Sequence, residues 1–357
     1  MSRGNRRLKP LMLVSLVVVL VALLVAATVG AARQDGLSAT VNVAQSEFGA
    51  SQDVLVTLTI SNPTKHTVRI LRWFTAGAGV EEPIFEVTRN GQPVRYVGAH
   101  FKRPAATGSD YVRLEAGGSI TSTVDLGAFY DLSASGTYEI AYSVAAYGLL
   151  AGKGNASGRE ALASATVSVK VEGRAGKGKP TPPPPPPPGG NSFTACTTAQ
   201  QSALVLARTD AKGYAANSAS YLADVTQGPR YTTWFGVYDA NRYNRVSSNF
   251  VAISNAMNIA TVAFDCSSKR NVYAYVYPDD PYKIYLGKVY WTAPGTGTDS
   301  KAGTLIHEMS HFTVVADTDD VVYGQTGAKS LAISDPAGAV RNADSHEYFA
   351  ENTPFEG

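Results

Sequence analysis

The chain has 357 residues, 44% of them hydrophobic and 17% charged, with a formal net charge of +2. This is the composition of an ordinary folded protein with room for two separate cores, which sets aside disordered and fibrous classes. A charge this small argues neither for nor against nucleic acid, and none is expected as a partner.

Arg3, Arg6, Arg7 and Lys9 precede an uncharged apolar run from Leu11 to Val29 that ends in Gly30-Ala31-Ala32. Residues 1–32 therefore read as a secretory signal peptide. The run is also long enough to cross a bilayer, so an uncleaved anchor is the competing reading. Either way the remainder is expected outside the cell; if the signal is removed, it is expected to be secreted and without stable membrane association.

From 33 to 175 the apolar residues recur with period two. Val54, Val56, Leu58 and Ile60 share a face, as do Tyr138, Ile140, Tyr142 and Val144, and later Val167, Val169 and Val171. Asn90-Gly91, Gly117-Gly118 and Gly136-Thr137 punctuate these strands, which predicts an all-β, immunoglobulin-like sandwich. His66 and His100 have no metal-spaced partners here and are expected to be ordinary histidines. This unit is expected to bind or inhibit. Residues 176–190 hold Lys179-Pro180-Thr181, seven prolines from Pro182 to Pro188 and Gly189-Gly190. Such a run is extended polyproline II, either a spacer between folded units or a ligand for a proline-binding module.

From 191 to 357 the texture changes to mainly α, within an α+β domain. Ala/Ser/Gln-rich stretches around Thr197 to Ala223 and Ser247 to Ala260 suit helices. Tyrosine-rich segments from Asn271 to Pro278 and Lys283 to Trp291 predict a hairpin, whose edge either pairs with an extended substrate or completes a small structural sheet. Cys196 and Cys266 fit one disulfide in an oxidising compartment, with a buried free pair as the alternative.

Next comes His307-Glu308-Met309-Ser310-His311. On a helix the two imidazoles share a face and can bind one zinc ion, with Glu308 beside them as a general base. A catalytic zinc needs a third protein ligand and an open position. Asp317 stands at the metzincin spacing, although Val314 replaces the glycine that pattern needs. Glu347 or Glu351 would serve a gluzincin arrangement, and an aspartate of Asp317-Thr318-Asp319-Asp320 would serve a third. Spacing does not choose among them.

The strings His307-Glu-Met-Ser-His-Phe-Thr313, Asp320-Val-Val-Tyr-Gly-Gln325, Ala328-Lys-Ser-Leu331 and Asn342-Ala-Asp-Ser-His-Glu-Tyr-Phe-Ala-Glu-Asn352 resemble the deuterolysin family of aspzincin metallopeptidases. Within it they are most similar to the peptidyl-Lys metalloendopeptidases. The resemblance spans roughly 191–357 and implies a zincin-like metallopeptidase domain with an N-terminal pro-domain. It makes His307, His311 and Asp320 the ligands of one Zn²⁺, Glu308 the base, and Tyr323 the donor to the tetrahedral intermediate. The family's Gly-Thr-x-x-Asp turn appears here without its glycine and with shortened spacing, which keeps Asp317 and Asp319 in play. A second family disulfide lacks its cysteines.

Asp344 and Glu347, at i and i+3, point the same way on a helix. On spacing alone they read first as an N-terminal helix cap and a solvated glutamate, but the resemblance reverses that order and implies a pocket for the lysine just after the cut. The expected activity is therefore hydrolysis of Xaa-Lys bonds in peptides and proteins. The rivals are a gluzincin-type protease without that preference and a noncatalytic surface-binding protein whose zinc is structural. Gly176-Lys177 and Gly178-Lys179 are candidate self-processing bonds, and Lys170 or a nearby lysine is expected to fill the pocket beforehand, making the N-terminal unit an intramolecular inhibitor.

Overall fold

A computed structural model describes residues 36–77, 79–152, 159–173, 189–224 and 227–356. The signal segment, the polyproline run and the two Gly-Lys bonds lie outside these described residues. The N-terminal region is β-rich and the C-terminal region mainly helical.

The N-terminal strands are β1 (Ser38–Val43), β2 (Glu47–Phe48), β3 (Leu55–Ser61), β4 (Val68–Leu71), β5 (Phe85–Arg89), β6 (Gln92–Pro93), β7 (His100–Lys102), β8 (Tyr111–Leu114), β9 (Ser119–Asp125), β10 (Gly136–Tyr147), β11 (Arg159–Ala163) and β12 (Val167–Val171). One sheet runs β1-β3-β9 and a second β2-β12-β10-β5-β6, with β11 also paired to β10. The predicted alternation is seen directly: Val56, Leu58 and Ile60 of β3 and Tyr138, Ile140 and Tyr142 of β10 enter one buried cluster. The opposite face of β3 carries threonines whose hydroxyls meet those of β9, Thr57 to Thr123 at 3.2 Å and Thr59 to Thr121 at 3.1 Å.

The C-terminal elements are β13 (Asn191–Thr194), α1 (Thr198–Ala223), α2 (Pro229–Phe235), α3 (Ala240–Ile259), β14 (Val262–Asp265), β15 (Ala274–Val276), β16 (Lys283–Leu286), α4 (Lys301–His311), α5 (Gly324–Ser334), α6 (Pro336–Arg341) and α7 (Ala343–Glu351). Helix α1 starts where Thr197 and Gln200 form a reciprocal capping box, and α3 where the Asp239 carboxylate accepts from Arg242 N–H. The Cys196–Cys266 disulfide, spanning a 70-residue separation, ties the end of β14 to the segment before α1. Strands β15 and β16 form the predicted antiparallel hairpin. The C-terminal sheet runs β13-β14-β16-β15-β7. Its last strand comes from the N-terminal region: β7 pairs antiparallel with β15, Lys102 opposite Ala274 and His100 opposite Val276. The edge expected to receive an extended substrate is thus occupied by the chain itself.

Candidate metal centre

Helix α4 begins at Ser300, whose hydroxyl accepts from Gly303 N–H at 2.9 Å. The Glu351 carboxylate accepts from Ser300 N–H at 2.8 Å and from its hydroxyl at 2.7 Å, which anchors α7 to the start of α4. Gly303 permits this, because a Cβ there would lie 2.0 Å from a Glu351 oxygen. Residues 302–311 of α4 are all buried. His307 and His311, one turn apart, bring their Nε2 atoms to 3.1 Å.

Past the helix, Asp317 turns the chain with φ +52°. Thr318 then offers its carbonyl to His311 Nδ1 at 2.8 Å, an N–H donation that leaves Nε2 with its lone pair. Asp319 N–H donates to the Arg341 carbonyl and Ala343 N–H to the Asp319 carbonyl, so the turn is pinned between α6 and α7. This places Asp320 Oδ1 at 3.1 Å from His307 Nε2 and 3.4 Å from His311 Nε2. Ligands held about 2.0–2.1 Å from a tetrahedral zinc lie about 3.3 Å apart, so the three atoms have the required spacing. Asp320 Oδ1 is buried without a hydrogen-bond partner, as a metal-facing oxygen would be. Two imidazoles and one carboxylate fit zinc.

The other proposed third ligands face elsewhere. Asp319 pairs with Arg341 at 3.1 Å, Asp317 is exposed, and Glu351 is spent on Ser300. Glu347 lies 3.4 Å from His307, but on the Nδ1 side. Asp344 Oδ1 is 2.9 Å from the same Nδ1, so α7 carboxylates back the imidazole and orient it. Both Glu308 oxygens are buried and unpartnered. Burial pushes that carboxyl up to about 7, against the opposing pull of His307 and His311, which suits a group that must take and return a proton near neutrality.

Asp344 and Glu347 face a lysine, and it is Lys102 of β7, not Lys170. The Lys102 ammonium lies 2.6 Å from Glu347, 3.2 Å from Asp299 and 3.8 Å from Asp344, and 4.8 Å over the Tyr273 ring. Burial opposes its charge, but the three carboxylates outweigh burial and hold its pKa well above the ordinary value. Lys170 sits on β12, exposed, with Glu47 at 3.9 Å as its partner. Period two along β12 buries Val169 and Val171 in the N-terminal core and turns Lys170 to the exposed face.

His100 also departs from expectation. It is 6% exposed, its ring centroid lies 4.7 Å from that of His311, and burial lowers its pKa to about 3, so the ring is neutral. Between His100 and Lys102, Phe101 N–H donates to Asp320 Oδ2 at 2.9 Å. Tyr273 N–H donates to the Lys102 carbonyl at 2.9 Å. The Tyr323 hydroxyl donates to Glu82 at 3.0 Å, and Glu82 is gripped in turn by Arg103 at 3.0 Å. Further pairs join the two regions: Arg270 with Glu81 at 3.0 Å and Arg95 with Asp279. Sequence reasoning missed His100, Lys102, Glu82 and Arg103 because nothing in their spacing relates them to a site some 200 residues away. The one available signal was His100-Phe-Lys102 itself, where alternation places a histidine and a lysine on one strand face.

Residues 220–351 match the family model Aspzincin_M35, described as lysine-specific metallo-endopeptidase. An extracellular protease of Aeromonas hydrophila is 45% identical over 318 residues, covering 86% of this chain and 90% of that protein. A peptidyl-Lys metalloendopeptidase of Pleurotus ostreatus is 50% identical over 165 residues, 46% of this chain and 98% of its own length. Among solved structures, a zinc peptidase from Grifola frondosa is 47% identical and matches 45% of this chain and 100% of its own, with a TM-score of 0.44.

Proposed function

The chain belongs to the aspzincin family of zinc metalloendopeptidases, and we propose that it is an exported enzyme cutting on the amino side of lysine, made as a precursor whose N-terminal region fills its own cleft. In this reading residues 1–32 are a signal peptide, 33–175 an immunoglobulin-like pro-domain, 176–190 a linker and 191–357 a zincin-like catalytic domain. The similarity to an extracellular protease along 86% of the chain supports export.

His307, His311 and Asp320 would hold the zinc, which when bound would polarise the scissile carbonyl as a Lewis acid and lower the pKa of a water. Glu308 takes the proton of the attacking water and passes it to the leaving amine, so no covalent intermediate is needed. Tyr323 donates its hydroxyl to the developing oxyanion once Glu82 has left it. Asp344 and Glu347 receive the substrate ammonium by charge-assisted hydrogen bonds.

The observation that carries the lysine preference is Lys102, seated 2.6 Å from Glu347 on a strand added to the β15 edge. It has the geometry of an extended substrate, which also supports inhibition by the N-terminal region. Cleavage profiling of the mature domain on a peptide library tests the reading. Lysine is expected just after the cut, and Asp344→Ala is expected to abolish the preference; a profile indifferent to lysine, or unchanged by that substitution, refutes it.

A further inference from the structure

We infer that His100 is a fourth protein ligand to the zinc in the precursor, closing the position that the mature enzyme leaves open for water. The inference rests on the proposal that the chain is a precursor, and it concerns a different residue and a different atom from the lysine pocket. A ring nitrogen of His100, one of His311 and a carboxylate oxygen of Asp320 all lie within 4.8 Å of one another. The set is supplied by β7, α4 and the turn after α4, so it forms only when the N-terminal region is docked.

The backbone of β7 explains the placement. Successive side chains of a strand face opposite ways, so His100 and Lys102 share the face toward α4 and α7 while Phe101 turns to Tyr275, 5.1 Å away. Register is held by pairing with β15 and by Phe101 N–H on Asp320 Oδ2, a bond that also turns Oδ1 toward the imidazoles. Tyr96 packs edge-on against His100, with ring centroids 5.6 Å apart. A docked lysine strand would ordinarily be cut before the lysine. Three protein ligands plus an open position make a catalytic zinc, whereas four make a closed structural one. His100 thus lets the N-terminal region offer a lysine to the pocket without offering a cleavable bond, and loss of the strand both empties the pocket and opens the metal.

Zinc-loaded full precursor carrying Glu308→Gln, which prevents self-cleavage, is examined by X-ray absorption at the zinc edge, where imidazole ligands are counted by their multiple scattering. Three imidazoles are expected in this precursor and two after His100→Ala, with zinc lost to EDTA at least about tenfold faster in the latter. Lys102→Ala is expected to keep three. A failed lysine preference with three imidazoles would sink the pocket reading alone, and two imidazoles in the precursor with His100 intact would overturn this one. Because that count is made with His100 intact, it stands even if the His100→Ala protein misfolds.

Discussion

Replacing Lys102 by methionine in the Glu308→Gln precursor removes one charge and keeps most of the apolar stem, so packing changes little and the loss is electrostatic. The side chains of Lys102, Asp344 and Glu347 are each at most 1% exposed, so solvent screens none of the three. Removing one partner of a buried ion pair costs about 3–5 kcal/mol because the remaining charge is left uncompensated. The contact over the Tyr273 ring adds about 0.5–2 kcal/mol. Part of this is recovered if one of the α7 carboxyls takes up a proton, so about 3 kcal/mol is the expected net loss. Urea unfolding at pH 7 measures it, with residues 191–357, the proposed mature domain, as the reference for effects outside the docked strand. A change below about 1 kcal/mol would show that the ammonium is not engaged as described.

Tyr323→Phe in the mature enzyme should lower kcat by roughly 100-fold or more, because an oxyanion donor is worth about 2.7–4 kcal/mol; a loss under about threefold in steady-state assays would remove Tyr323 from catalysis. His346 makes the fold acid-sensitive. Its Nδ1 donates to the Asn342 carbonyl at 3.0 Å and its Nε2 accepts from the Asn249 amide at 3.0 Å, a neutral tautomer that burial maintains down to about 4. The unfolded ring protonates below its ordinary value of 6.5 while the folded one does not, so stability is full above that value and falls as pH drops toward 4. The expected loss is about 3 kcal/mol across that window, and urea titrations from pH 7 to 4 should show it flattened in His346→Gln. Reduction of Cys196–Cys266 should lower the stability of the mature domain by about 2–4 kcal/mol, and unfolding curves with and without reductant that superimpose would contradict this.

The β-rich N-terminal region was legible because period-two alternation is a local property: Val56, Leu58 and Ile60 are buried for the reason their spacing announced. The helix carrying His307 and His311 was legible likewise, since i and i+4 on a helix converge whatever surrounds them. The third metal position was not legible in spacing, and only the family resemblance pointed to Asp320. Asp317, Asp319 and Asp320 are equivalent in a string of letters, and they separate only when Arg341 takes Asp319 and the turn carries Asp320 back over the imidazoles. Glu347 and Glu351 separate in the same way, one beside His307 Nδ1 and the other under Ser300.

From sequence alone follow two units of different texture, a helix with zinc-ligand spacing, a candidate disulfide and, through resemblance, the expectation of a lysine preference. Each rests on short-range periodicity or on a contiguous motif. Only the tertiary structure decided that β7 crosses from the first unit to the second, seating Lys102 between Asp344 and Glu347 and His100 against His311. A strand added to a sheet edge is chosen by backbone hydrogen bonds that nearly any residue can make, so the alternation of His100 and Lys102 does not say which edge the strand joins until the fold brings the two together.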